Sequence, residues 1–309
     1  MGGCPTDLVL STMRWVLFVG RERVLSRLLV AADEVAEGPA RLVLVSGEAG
    51  MGKTTLVGVA ATRSEVLLGW GSCAEAGRTP AFWPWSVALR GLLAALHASD
   101  VTELTGTEAA ELARLVPELA VKSAAPDLEL GCAGIDSDAA RLRLFDAVAR
   151  FLERLACRRR TLVVLDDLQW ADESSLQLLE FVTRPHRPVP LLIIGLYRHD
   201  ELAAATARAL ATIGARAELI QLHGLSPGEV FDLVADAVGP DTAQRWAGEV
   251  HRRTDGHPFL ARQLAELLAD PTRPAGALPA AAHDLVSRRV ERLPAGCGEL
   301  VKAARRGRQ

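Results

Sequence analysis

The residues Gly47-Glu48-Ala49-Gly50-Met51-Gly52-Lys53-Thr54 carry the spacing G-x-x-x-x-G-K-T, with the apolar run Leu42-Val43-Leu44-Val45 before them and Thr55-Leu56-Val57-Gly58-Val59-Ala60 after them. Read as strand, loop and helix, this is a phosphate-binding loop. Side chains at its glycines would keep the backbone N–H groups from closing around phosphate oxygens, and a helix opening at Lys53 adds the positive end of its dipole. Lys53 is placed to reach β- and γ-phosphates, and the Thr54 hydroxyl to ligate Mg²⁺. Gly47, Gly50, Gly52, Lys53, Thr54 and Thr55 are thus the candidate phosphate contacts. A chance glycine-rich turn is the alternative, and the strand and helix patterns on the correct sides argue against it. Lys53 is also one of only three lysines, with Lys122 and Lys302, in a chain whose other basic side chains are arginine.

A second group of candidates is Asp166-Asp167, directly after the apolar run Thr161-Leu162-Val163-Val164-Leu165. The C-terminal end of a parallel strand is where such a sheet presents its ligands. A carboxylate there can hold Mg²⁺ opposite Thr54, the role assigned to Asp166. Asp167 is then the candidate to orient or deprotonate an attacking water. Paired acids can also simply open a loop or cap a helix, but a phosphate loop upstream in the same chain favours the functional reading.

Elements that position these residues follow from hydrophobic periodicity. Val24, Leu25, Leu28, Leu29 and Ala32 predict a helix between Phe18-Val19-Gly20-Arg21-Glu22 and Glu37-Gly38-Pro39. Residues 65 to 70 predict a second strand, and Ala76 to Trp85 a Gly- and Pro-punctuated loop anchored by packing of Phe82, Trp83 and Trp85. Residues 86 to 119 read as helices broken near Ser99-Asp100 and Pro117, and 121 to 138 as a polar connection. A helix capped by Asp138 follows, with Leu142, Phe145, Ala149, Leu152 and Ala156 on its buried stripe and Arg158-Arg159-Arg160 complementing its C-terminal dipole. Pro190 to Leu196 reads as a fully covered strand and Ala217 to Leu222 as the last strand. Beyond Gly224 the pattern is helical only, at about 227–237, 241–253, 258–269 and 280–292. Strands alternating with helices make the fold α/β, with a boundary near 222–226.

The chain's bulk properties narrow the functional classes. With 309 residues, 49% of them hydrophobic, it can build a sizeable core. A formal charge of −3 supplies no general affinity for nucleic acid or an anionic membrane. Five scattered cysteines without metal-ligand spacing indicate neither a disulfide framework nor a zinc site, so reduced thiols in a cytoplasm are expected. Nothing approaches the length of a membrane span. Met13 is a candidate natural start, because Arg14 to Val19 runs straight into the first motif.

The succession Val19-Gly20-Arg21-Glu22, the phosphate loop, Leu165-Asp166-Asp167-Leu168-Gln169-Trp170-Ala171-Asp172, Tyr197-Arg198 and Gly256-His257-Pro258-Phe259 resembles the STAND-type signalling ATPases of the AAA+-like lineage. It looks closest to the ATPase region of large bacterial LuxR-type transcriptional regulators, over about residues 17–300. The resemblance implies a P-loop NTPase domain at 17–224 with a five-stranded, mostly parallel sheet of order 5-1-4-3-2. A helical lid at 225–272 and the truncated start of a winged-helix region with a basic tail at 273–309 would follow, after a tail at 1–16. It further implies that Val19 and Gly20 lie near adenine, that Arg198 senses the γ-phosphate, and that Pro258 closes over the base from the lid. Proline in the first turn of a helix is also good local chemistry.

Members of this group often have histidine where this chain has Gln169 and asparagine where it has His257; neither position receives a catalytic step. The implied function is Mg²⁺-dependent ATP binding and slow hydrolysis to ADP as a conformational switch of a cytoplasmic regulator. Self-association in the ATP-bound state and an unidentified inducer or protein partner would belong to that function. No arginine stands out as a finger acting in trans; Arg184, Arg187 and Arg216 are the candidates. The alternatives are a nucleotide-binding scaffold without useful hydrolysis and a DNA-processing AAA+ ATPase, the latter opposed by the acidic balance. A small-molecule kinase lacks any sign of an acceptor site.

Overall fold

The computed structural model of the chain describes residues 18–35, 40–74, 80–119, 137–184 and 191–268. Expectations about Met13, Arg187, the connection at 121–136 and everything from residue 269 on, including the helix at 280–292 and the basic tail, lie outside the described residues. The chain divides into two compact units, one ending at Leu222 and the other beginning at His223, with Gly50–Gly52 grouped with the second.

In the first unit the described elements follow the order α1 (Glu22–Glu34), β1 (Arg41–Ser46), α2 (Lys53–Arg63), β2 (Leu67–Ser72), α3 (Trp83–Ala94), α4 (Ala98–Thr105), α5 (Ala109–Leu112), α6 (Asp138–Arg158), β3 (Thr161–Asp166), α7 (Glu173–Val182), β4 (Leu191–Tyr197), α8 (Ala204–Gly214) and β5 (Glu218–Gln221). The sheet order is β2-β3-β4-β1-β5, which is the expected 5-1-4-3-2. Every pair in it is parallel. Parallel strands need helical crossovers that cover both faces, so β1, β3 and β4 are buried along nearly their whole length. Leu44, Val163, Leu165 and Ile193 pack with Leu89, Leu144, Phe151 and Leu179 in one core cluster.

Several local expectations shift. The second strand runs from Leu67 to Ser72 rather than from Glu65, because Glu65 adopts a left-handed turn conformation (φ 49°) that ends the preceding helix. Trp83-Pro84-Trp85 opens α3 instead of lying in a loop, since proline suits the first turn of a helix. The aromatic anchoring holds for Phe82 and Trp85, which are fully buried, the Trp85 indole N–H donating to the carbonyl of Ser175 at 3.0 Å, but not for Trp83, which is exposed. The helix break falls at Ala95–His97, not at Ser99-Asp100. In α6 the cap is Ser137, whose hydroxyl accepts from the N–H of Ala140; Asp138 is the first helical residue. Leu142 is exposed, and the buried stripe consists of Leu144, Phe145, Val148, Phe151, Leu152 and Leu155. Arg158 and Arg160 pair with Glu103 and Asp33.

The described residues of the second unit are helical: α9 (Pro227–Val238), α10 (Pro240–Thr254) and α11 (Pro258–Leu268) enclose Val230, Val234, Ala243, Val250, Ala261 and Leu264. Ser226 and Glu229 form a complete capping box that starts α9. Among the described residues no helix is long and apolar enough to cross a membrane.

Candidate nucleotide site

The loop after β1 is shaped by Gly50 and Gly52, both left-handed at φ 77° and 79°, a region open to glycine at little cost. It delivers the chain into α2, an eleven-residue helix without an acidic residue in its first turn. The positive end of the helix dipole is therefore left for an external anion. Lys53, the first residue of α2, is only 7% exposed. Its ammonium donates to the carbonyls of Gly47 at 2.7 Å and Glu48 at 2.9 Å. Those bonds pin it across the loop while one of its three donors stays available. Burial, and then the nearby Arg198 guanidinium, lower its pKa, against the attraction of Asp166, Asp167 and Asp200.

Asp166 ends β3, and the Thr54 hydroxyl donates to its Oδ2 at 3.0 Å. The residues assigned to a metal from spacing alone are thus brought together. The other carboxylate oxygen accepts the N–H of Asp167 at 2.8 Å. Burial, reinforced by the charge of Asp167, pushes the Asp166 carboxyl up to about 6, although the hydrogen bonds from Thr54 and Asp167 pull the other way. A hydroxyl and a buried carboxylate are hard oxygen donors suited to Mg²⁺. Among the described residues no group of three or more His, Cys, Asp or Glu side chains forms a self-contained metal cage. An ion held by Thr54 and Asp166 would fill its shell from phosphate oxygens and water, as Mg²⁺ commonly does.

Asp167 adopts a left-handed conformation (φ 56°, ψ 42°), which turns its side chain out of the strand direction and leads into a 3₁₀ turn at Leu168–Trp170. Its Oδ1 accepts from the Gln169 side-chain amide at 2.8 Å and lies 3.6 Å from the Arg198 guanidinium. Arg198 follows β4 directly and also donates to both oxygens of Glu201, at 2.9 and 3.2 Å. It is therefore a paired, partly exposed side chain within reach of Asp167. Val19 and Gly20 lie in the turn before α1 and take no part in these bonds, while Thr55 follows Thr54 in the first turn of α2.

The remaining motif residues have structural work. Asp172 caps α7, accepting from the N–H of Ser175 at 2.9 Å, and also takes the N–H of Phe82 at 3.3 Å. His257 is buried, and its Nδ1 accepts the N–H of Leu260 at 3.4 Å at the start of α11, which Pro258 opens. Asparagine caps helices in the same way, so the exchange at 257 keeps a local function. Of the finger candidates, Arg184 is exposed and paired with Glu180. Gln169 is what spacing could not reveal: it is 3% exposed and hydrogen-bonded at both ends, and its one visible signal is a polar residue between the apolar Leu168 and Trp170.

A search of curated protein sequences finds no match. Among solved structures the chain is similar to a signal transduction ATPase with numerous domains (STAND) protein with a tetratricopeptide repeat sensor from Pyrococcus horikoshii. The identity is 18% and the TM-score 0.54, over 88% of this chain and 33% of that one. The chain thus spans about a third of that protein. It is also similar to the ORC1 protein of Aeropyrum pernix, solved in complex with DNA, at 15% identity and TM-score 0.47 over 94% and 72% of the two chains. The Cdc6p protein of Pyrobaculum aerophilum matches at 14% identity and TM-score 0.43, over 84% and 63%. Of these, the first, at 18% identity, speaks for the fold alone. A family model, described as the AAA ATPase domain, matches residues 17–194. The match runs from the turn before α1 into β4, taking in the phosphate loop and the acid pair; on that span, more than half of its length, the chain belongs to the AAA ATPase domain family.

Proposed function

We propose that the chain is a Mg²⁺-dependent ATP-binding module that hydrolyses ATP slowly and uses the cycle as a conformational switch. The observation that carries this reading is the Thr54–Asp166 hydrogen bond at 3.0 Å beside a lysine already pinned across the phosphate loop. Loop N–H groups and Lys53 would hold the β- and γ-phosphates, and Mg²⁺ held by Thr54 and Asp166 would neutralise charge on them. Asp167 would orient the attacking water and accept its proton as the bond from the terminal phosphorus to the ADP oxygen breaks. Arg198, now shared between Glu201 and Asp167, would turn part of its guanidinium to the terminal phosphate and register its loss.

Slow turnover is part of the proposal because no arginine among the described residues stands out as a finger acting in trans, a group worth on the order of 10³ to 10⁵ in rate elsewhere. For Val19, Gly20 and Pro258, contact with the base is proposed on the resemblance alone. The same holds for the wider role: part of a signal-transducing, LuxR-type transcriptional regulator in the cytoplasm that self-associates in the ATP state.

One observation favours a second reading. Asp167 and Arg198 are each engaged by neighbouring side chains, as in a protein that binds nucleotide without hydrolysing it. Multiple-turnover phosphate release decides between them. Release that is lost in Lys53→Ala and in Asp167→Asn supports the ATPase. Saturable ATP binding by the wild-type chain with no release above background supports the scaffold and overturns the ATPase.

A further inference from the structure

Gln169 joins the two parts of the site that hydrolysis would have to coordinate. Its side chain is buried, and the direction of each of its hydrogen bonds is fixed by the partner. The N–H of Arg198 can only donate, so Oε1 faces it at 3.1 Å, and Nε2 donates to Asp167 Oδ1 at 2.8 Å. One amide thus ties the carboxylate after β3 to the backbone after β4. Within the 3₁₀ turn Leu168–Trp170, the Trp170 N–H returns to the Asp167 carbonyl at 2.9 Å. The bridge is therefore mounted on a closed turn and not on a free loop. Because Nε2 occupies Oδ1, it leaves Oδ2 as the oxygen for a water.

We propose that Gln169 is a positioning residue for ATP hydrolysis: it orients the Asp167 carboxylate and locks it to the strand end that carries Arg198. This rests on the reading of Asp167 as the water-orienting acid. The chemical requirement is one donor and one acceptor on a single buried side chain. A neutral imidazole meets that requirement, and an ionised glutamate, the form to be assayed at high pH, meets only half of it, accepting from Arg198 but having nothing to donate to Asp167. Holding the strand end and orienting the carboxylate are therefore separable by substitution.

The test compares wild type with Gln169→Leu, Gln169→Glu and Gln169→His in steady-state phosphate release, together with hydrogen exchange at the Arg198 amide in the nucleotide-free chain. Expected are a loss of kcat of tenfold or more in Gln169→Leu and Gln169→Glu with KM for Mg·ATP within about twofold, and kcat within about threefold of wild type in Gln169→His. Protection at Arg198 should fall in Gln169→Leu and persist in Gln169→Glu. The proposal is overturned if Gln169→Glu retains wild-type kcat, which would leave Gln169 a strut for β4, or if the substitutions act on KM alone. It is equally overturned if Gln169→Leu leaves exchange at Arg198 unchanged. Absence of phosphate release by the wild-type chain itself would instead bring down the ATPase reading and this role with it, a result distinct from an active wild type beside active variants.

Discussion

At Asp166, burial and the proposed metal binding pull in opposite directions. The carboxyl is raised to about 6 chiefly because it is taken out of water, so the folded chain holds a proton there between about pH 4 and 6 that the unfolded chain has released. Stability from this group is greatest at low pH and is lost as pH rises toward 6; two pKa units correspond to about 3 kcal/mol. Asp166→Asn removes that penalty. The amide oxygen can keep the N–H of Asp167, and its NH₂ can face the Thr54 hydroxyl, which also accepts. The variant should therefore melt a few degrees higher than wild type at pH 7.5 without nucleotide, with a flatter stability profile between pH 4 and 6, as followed by thermal denaturation. The same proton competes with Mg²⁺, so Mg²⁺-dependent nucleotide affinity of the wild type should weaken by up to tenfold per pH unit below about 6. At this scale the meeting of Thr54 with Asp166 and the pinning of Lys53 across the loop are placements that motif spacing along the chain made legible, whereas the chemistry of Lys53, Thr54, Asp166 and Asp167 is what the proposal adds. Gln169 was not legible, because the role proposed for it comes from burial and from two partners, one of them just past the end of another strand.

Among the elements, close approach of backbones decides what can change. A Cβ at Gly71 would sit 1.8 Å from the carbonyl oxygen of Pro84, and one at Gly69 2.7 Å from that of Ala88. β2 therefore seats α3 directly against its backbone. Gly71→Ala should cost at least about 3 kcal/mol, near the upper end for overpacking, because the obstacle is main chain. Gly248 is an exposed interior position of α10 with nothing within 4 Å of an added Cβ, so Gly248→Ala should stabilise by about 0.5–1 kcal/mol. Denaturant melts of the two variants check both signs. Periodicity gave the three described helices of the second unit to within a residue or two, since proline and a capping box mark their starts. It misplaced the stripe of α6 by including Leu142, which lies on the exposed side of that helix. It read Trp83-Pro84-Trp85 as loop because proline and clustered aromatics mark loops and first turns alike.

For the molecule as a whole, the parallel order β2-β3-β4-β1-β5 sets the end of β1 between those of β4 and β5, with β3 beyond β4. The phosphate loop, the acid pair and Arg198 therefore emerge from strands that all point the same way. Apolar runs and alternating helices were enough to read a layered α/β fold. The strand order came from resemblance, because long-range register leaves no periodic trace in a single sequence. A module that binds Mg·ATP should also be stabilised by it, by about 2.7 kcal/mol at a hundred times Kd, which thermal denaturation with and without Mg·ATP would register. The most direct test is an equilibrium titration of ATP into the chain, with Mg²⁺ or with EDTA, alongside Lys53→Ala. One saturable site is expected, weakened at least tenfold by EDTA and lost in a Lys53→Ala variant that still folds; undiminished binding by that variant, or no binding by the wild type, would contradict the account.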